Sequence, residues 1–140
     1  MGLRGRSNFT EEGTFFITTS VVDYTPVFSD QKYCKLLVDN IKYYQGCAHF
    51  FKVLGYVIMP SQLHWMINID PSTDTISNIM RDIKKYTAWD VFAAAEFLGR
   101  KDLLRIFRRN APKNTQQKRK LWMKRFDGEI IRSQERLGSY

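Results

Sequence analysis

The stretch that decides the fold is FFKVLGYVIMPSQLHWMINI, residues 50–69. Its first half (50–59) and its last part (63–69) are rich in β-branched and aromatic residues, which is typical of buried strands. Pro60 and Ser61 interrupt the run, and proline lacks the backbone N–H that a continuing strand would use. We therefore predict two adjacent antiparallel strands joined at a sharp kink.

The second of these strands carries two polar side chains in an apolar setting. Because side chains alternate along a strand, Gln62 and His64 are predicted to share one face, with Leu63 and Trp65 on the other. An imidazole and an amide two residues apart can bind one divalent ion such as Mg²⁺ or Mn²⁺. The alternative is a histidine satisfied by one ordinary hydrogen bond, and spacing alone favours that alternative.

The flanking segments supply further elements. Residues 14–22 (TFFITTSVV) indicate a first strand, and Ser29 and Gly46 are the predicted caps of an amphipathic helix. Caps at 72–75 precede one long helix or two short ones that end at Gly99. Residues 102–110 indicate another helical turn or two, residues 120–126 a strand, and Ser133 the start of a last helix.

This order predicts one α+β domain over residues 1–140. The predicted plan is ferredoxin-like, with a sheet of about four antiparallel strands and its helices packed on one face. Cys34 and Cys47 match no metal-ligand spacing, and no uninterrupted apolar run reaches about 18 residues. We therefore expect a cytoplasmic protein without a membrane partner.

The positive charge of the chain is concentrated in one segment. Between residues 100 and 125 there are eleven Lys and Arg against the single Asp102, a local charge of +10 in a chain of net charge +8. Such a segment suits a phosphate-binding surface, because each neutralised phosphate releases condensed counterions. The alternative is a solvated loop.

If the basic segment binds nucleic acid, its arginines can reach phosphates with two hydrogen bonds and can stack on bases. Trp122 is the candidate for base stacking, and a core-facing position is its alternative. Tyr86, between two lysines and a threonine, is more simply a packing or phosphate-contacting residue. The predicted DNA-binding residues are Lys84, Lys85, Arg105, Arg108, Arg109, Lys118, Arg119, Trp122, Lys124 and Arg125.

Three stretches together resemble the single-tyrosine HUH transposases, and especially the REP-associated tyrosine transposases: GYVIMPSQLHWMI (55–67), ISNIMRDIKKYTAWDVF (76–92) and LWMKRFDGEIIRSQERL (121–137). The signature of that family is close to Met-Pro-Asn-His-Val-His-Leu. Met59 and Pro60 match it, Gln62 occupies the place of the first histidine, and His64 occupies the place of the second.

The resemblance implies binding of hairpin single-stranded DNA, with cleavage and rejoining by a homodimer. In the family, a divalent ion held by the histidine pair polarises the scissile phosphate, and a tyrosine forms a 5′-phosphotyrosine. Here that implies a Mg²⁺ or Mn²⁺ site at Gln62 and His64 in a nucleoid-associated bacterial protein. Glutamine is a weaker ligand than histidine, so the implied alternative is a domain that binds structured single strands without cutting them.

The nucleophile is the second departure from the family pattern. Relatives place a Tyr-Ile pair on a helix that follows a segment like FDGEIIRSQERL (126–137), and Tyr140 lies about one helical turn before that position. Three interpretations stay open: the tyrosine helix is incomplete and continues beyond residue 140, the nucleophile is missing, or Tyr140 is the nucleophile in a shifted register.

Overall fold

The computed structural model describes residues 13–45, 51–70, 72–124 and 127–130, the last four by their backbone alone. Tyr140 and Arg125 lie outside these ranges. The strands are β1 (Thr14–Ser20), β2 (Phe51–Met59), β3 (Gln62–Ile69) and β4 (Asp127–Ile130). The helices are α1 (Gln31–Tyr44), α2 (Ile76–Phe97) and α3 (Lys101–Arg109). Two short 3-10 turns, at 22–24 and 27–29, connect β1 to α1.

The strands form one sheet in the order β2-β3-β1-β4, and every neighbouring pair is antiparallel. β1 and β3 are adjacent at its centre. The chain passes from β1 through α1 to β2 at the far side of β3, and β3 then fills the place between β2 and β1. This interleaved order is that of a ferredoxin-like sheet. The predicted α+β class and the antiparallel sheet are confirmed.

The two central strands place their apolar side chains on one face. Phe15 and Ile17 of β1 are fully buried, and so are Leu63 and Ile67 of β3, while Trp65 is 1% exposed. The apolar side of α2 meets them with the predicted positions Ile76, Ile79, Met80 and Ile83, all buried. Burying each such side chain stabilises the fold by about 1.5–3 kcal/mol. The helices therefore cover one face, and the residues between these apolar positions lie on the opposite, open face.

The helix starts follow local hydrogen bonds that the sequence indicates only in part. α1 begins after Asp30, whose carboxylate accepts from the backbone N–H of Lys32 at 2.9 Å. The prediction of Ser29 as the cap is wrong, because Ser29 ends a 3-10 turn and its hydroxyl donates to the Pro26 carbonyl at 2.7 Å. For α2 the cap is Thr75, within the predicted range, and the helix is a single one of 22 residues.

The fourth strand lies later in the chain than predicted. It covers Asp127–Ile130, whereas Trp122 forms only an isolated bridge with Val21. Leu121 and Trp122 are both buried, so these two neighbouring side chains do not alternate between a buried and an open face as the predicted strand requires. Within the described part of the chain, no helix combines the length and apolar character needed to cross a membrane.

Candidate nucleic-acid interface

Four polar side chains form a row on the open face of the sheet. Thr18 and Ser20 of β1 are paired in register with His64 and Gln62 of β3. The Thr18 hydroxyl lies 2.9 Å from His64 Nδ1, and His64 Nε2 lies 3.1 Å from Gln62 Oε1. The Gln62 amide nitrogen donates to the Ser20 hydroxyl at 3.1 Å. The predicted placement of Gln62 and His64 on one face, opposite Leu63 and Trp65, is confirmed, and we call these four side chains the polar row.

The polar row determines which protons the imidazole of His64 carries. The amide oxygen of Gln62 can only accept, so Nε2 of His64 donates to it. In the neutral ring Nδ1 then accepts from the Thr18 hydroxyl, and in the charged ring it donates. Both ring nitrogens are therefore engaged by protein side chains.

These donors do not fit a divalent metal ion by themselves. A metal ligand needs a free nitrogen lone pair, and in this arrangement neither nitrogen of His64 offers one. Over residues 13–45, 51–70 and 72–124, no group of three or more His, Cys, Asp or Glu could hold a metal. Mg²⁺ and Mn²⁺ prefer several oxygen ligands, carboxylates above all. The metal site at Gln62 and His64 stays a prediction.

A basic groove runs on the helical side of the molecule, between α2 and the segment 117–124. Its first part has a volume of about 460 Å³ and its second part about 700 Å³. Trp89, Phe92, Gln117 and Arg119 line both parts, which makes them one continuous depression. We call it the α2 groove. Its basic lining residues are Lys84, Lys85, Arg108, Lys118, Arg119, Lys120 and Lys124.

Aromatic rings and cations alternate along the α2 groove. Trp89 is 55% exposed, and the ammonium of Lys85 lies 4.9 Å from the centre of its ring. The guanidinium of Arg119 lies 5.9 Å from the centre of Phe92 and also pairs with Glu96 at 2.9 Å. A half-exposed indole beside cations is the combination on which bases stack while phosphates are neutralised.

Trp122, the predicted stacking residue, is not available for that role. It is 4% exposed, its ring packs 5.6 Å from Phe28, and its Nε1 donates to the backbone oxygen of Lys84 at 3.0 Å. The stacking prediction for Trp122 is therefore wrong, because the indole anchors the groove wall to α2. Trp89 is the exposed ring that sequence reasoning missed, and its position one helical turn after Lys85 was the available signal.

The other predicted contacts divide into two groups. Lys84, Lys85, Arg108, Lys118, Arg119 and Lys124 line the α2 groove. Arg105 is exposed on α3 and is not among the residues that line the groove. Arg109 is also outside that lining, and its guanidinium donates to Asp23 at 2.6 Å. That hydrogen bond, with a second one from Asn110, holds the pKa of Asp23 below its ordinary value.

Backbone hydrogen bonds fix the wall of the groove to the rest of the fold. The Met123 N–H donates to the Ser20 carbonyl at 2.8 Å, and the Leu121 carbonyl accepts from Val22 at 2.8 Å. At the other end, the Lys120 N–H donates to the carbonyl of Phe107 at 2.9 Å. The wall is thereby held by β1, by the turn after it and by α3. One of these bonds joins Met123 of the groove lining to the backbone of Ser20, whose side chain belongs to the polar row.

Similarity to known proteins is found in the fold and not in the sequence. No protein-family model matches the chain, and no curated protein does. A REP-associated tyrosine transposase, solved bound to a REP hairpin, superposes with a TM-score of 0.58 over 91% of this chain, at 20% identity. The chain has a transposase fold. It spans 61% of that transposase's length.

A second solved structure has the same transposase fold. It is described as a putative transposase from Deinococcus radiodurans R1, with a TM-score of 0.56 and 14% identity over 90% of this chain and 83% of its own. At these identities the agreement concerns the path of the backbone rather than the chemistry of any residue. Both structures confirm the predicted resemblance to transposases at the level of the fold.

Proposed function

We propose that this chain binds hairpin-forming single-stranded DNA in the α2 groove. The observation that carries the proposal is the half-exposed Trp89 in a groove with seven Lys and Arg side chains and, among the described residues lining it, no Asp or Glu. Exposed cations supply most of the affinity for a phosphate backbone, and a ring selects unpaired bases over a stacked duplex. The transposase fold supports the proposal, since one protein with that fold was solved on a DNA hairpin.

The test measures the Kd of a fluorescently labelled DNA hairpin by anisotropy. The variant Lys85→Ala with Lys124→Ala removes two cations of the α2 groove, and we expect a clear rise in Kd. The matched control is Lys32→Ala with Lys35→Ala, which removes two exposed lysines from α1, away from the groove. Equal affinities for the wild type and the groove variant would contradict the proposal.

Strand cleavage and rejoining through a 5′-phosphotyrosine is a second proposal. The observation that favours it is the transposase fold, which has Gln62 and His64 side by side on its open face; a metal-binding role for His64 would require its 3.1 Å hydrogen bond from Nε2 to Gln62 Oε1 to break. Its test is incubation with hairpin DNA and Mn²⁺, followed by detection of a covalent adduct. The second proposal predicts a covalent adduct from the wild type that Tyr140→Phe abolishes, and the absence of an adduct would contradict it.

Two further expectations follow from the proposed DNA binding. A homodimer would place two α2 grooves on one DNA element, and sedimentation analysis with and without DNA tests it. A DNA-binding role would also place a bacterial protein of this kind in the cytoplasm, on the nucleoid. Imaging of a tagged copy tests that location.

A further inference from the structure

A row of four aromatic rings extends outward from the α2 groove. Tyr43 and Tyr44 end α1, and Tyr86 and Trp89 lie on α2. Successive ring centres are 4.9 Å, 5.6 Å and 5.2 Å apart, with perpendicular, nearly parallel and perpendicular planes. We call this row the aromatic strip. Trp89 belongs both to the strip and to the groove, so the two surfaces are continuous.

The ends of the aromatic strip are exposed far more than helix packing requires. Tyr43 is 61% exposed and Trp89 is 55% exposed, whereas the Tyr44 and Tyr86 rings between them are partly covered. Packing of α1 on α2 accounts for the central pair but leaves the faces and edges of the outer rings in water. Clustered exposed aromatic side chains are typical of binding surfaces.

Positive charge lies at the end of the strip that is nearest the groove. The ammonium of Lys85 lies 5.3 Å from the centre of Tyr86 and 4.9 Å from that of Trp89. Two carboxylates nearby are engaged by neighbours: Asp90 accepts from the Asn40 side chain at 2.9 Å, and Asp82 accepts from Arg81 at 3.0 Å. The cation of Lys85 therefore accompanies the two rings of the strip that lie nearest the groove, Tyr86 and Trp89.

We infer that the aromatic strip binds unpaired bases of a single strand that continues out of the α2 groove. The preferred ligand is then a DNA hairpin with a single-stranded extension, rather than the hairpin alone. Every base presents a π-face, so stacking on tyrosine and tryptophan tolerates different sequences. The inference rests on the proposed function, because the groove must hold the hairpin that the extension leaves.

The test compares three kinds of ligand in the same anisotropy assay. They are a blunt hairpin, the hairpin with a six-thymidine extension at its 5′ or its 3′ end, and the hairpin with an abasic extension of equal length at the same end. The abasic extension keeps the phosphates and removes the rings. We expect the thymidine extension to lower Kd by at least about fivefold relative to the abasic one, the minimum for stacking of one base. Equal affinity for the two extensions would overturn the inference.

A variant separates the strip from the groove. Tyr43→Ala removes the outer ring at an exposed helix end, and we expect it to reduce the gain from the thymidine extension without changing the Kd of the blunt hairpin. The control is Phe97→Ala, since Phe97 is 90% exposed at the other end of α2, and it should leave both values unchanged. An unchanged gain in Tyr43→Ala would contradict the inference.

Fluorescence gives a second readout. Of the three tryptophans, Trp65 and Trp122 are buried and Trp89 is exposed, so base stacking on the strip should quench mainly Trp89. The thymidine extension should quench more than the abasic one. If blunt hairpins bind but neither extension effect appears, only the inference fails. If no hairpin binds, both the inference and the proposed function fail.

Discussion

The salt dependence of DNA binding tests the α2 groove most directly. For five of its cations the described part of the chain shows no ion pair, and these are Lys85, Arg108, Lys118, Lys120 and Lys124. Each phosphate contact contributes about −0.7 to −0.9 to the slope of log K against log salt, so five contacts predict a slope of about −3.5 to −4.5. Raising the salt from about 50 mM to about 200 mM should then weaken binding by about 100- to 500-fold.

The assay is a series of anisotropy titrations with one DNA hairpin at four or five salt concentrations. In Lys85→Ala with Lys124→Ala the slope should become shallower, at about −2 to −3, because two contacts are lost. The control Lys32→Ala with Lys35→Ala removes the same charge elsewhere, so its slope should match the wild type. A wild-type slope shallower than about −2, or equal slopes for the wild type and the groove variant, would refute the assignment of the phosphates to this groove.

Three further predictions concern the polar row, the contact of Asp23 with Arg109, and a glycine with a positive φ. Gln62→Ala removes the partner of His64 Nε2 and a donor to the opposite strand, which should lower the free energy of unfolding in urea by about 1–3 kcal/mol; an unchanged urea midpoint would contradict this. The pKa of Asp23 is lowered in the folded state, chiefly by Arg109, so its stabilising effect is complete above its unfolded pKa and is lost as the pH falls through the folded value. Asp23→Asn should therefore be less stable than wild type at neutral pH, with a gap that closes in strong acid in a series of thermal melts. Gly13 has a φ of +83°, and an added Cβ would lie 3.0 Å from a backbone oxygen of the neighbouring strand. Gly13→Ala should lower the free energy of unfolding by more than about 1 kcal/mol, and a wild-type value would show that the backbone before β1 adjusts to the added Cβ.

The sequence predicted which side chains of β3 and α2 are buried, because the repeat of a strand or a helix relates residues that are close together along the chain. The alternation at 62–65 placed Leu63 and Trp65 in the core and Gln62 and His64 on the open face, as found. The helical spacing of Ile76, Ile79, Met80 and Ile83 likewise predicted the buried side of α2. In both cases one repeating geometry determines which side chains meet the core.

The roles of individual basic and aromatic residues depend on distant partners. Trp122 is buried because its ring meets Phe28 and its N–H meets the backbone of Lys84, contacts that no local pattern indicates. Arg109 pairs with Asp23, which is 86 residues away, and so takes a place outside the groove. The charge of the segment predicted a basic surface, but the identity of its exposed ring required the fold.

The attachment of the groove wall has a consequence for how such a surface can change over time. Its hold on the body uses mainly the backbone at 120–123 and the indole of Trp122, and two groove cations add to it: Lys84 donates to the Met123 carbonyl at 3.3 Å and Arg119 pairs with Glu96 at 2.9 Å. Exposed cations such as Lys85 and Lys118 can therefore be exchanged without loosening the support beneath them, and a groove already in place loses little conformational freedom when a ligand enters. If the groove binds nucleic acid as proposed, single substitutions at these cations can change its preference, each testable against an unchanged background of stability.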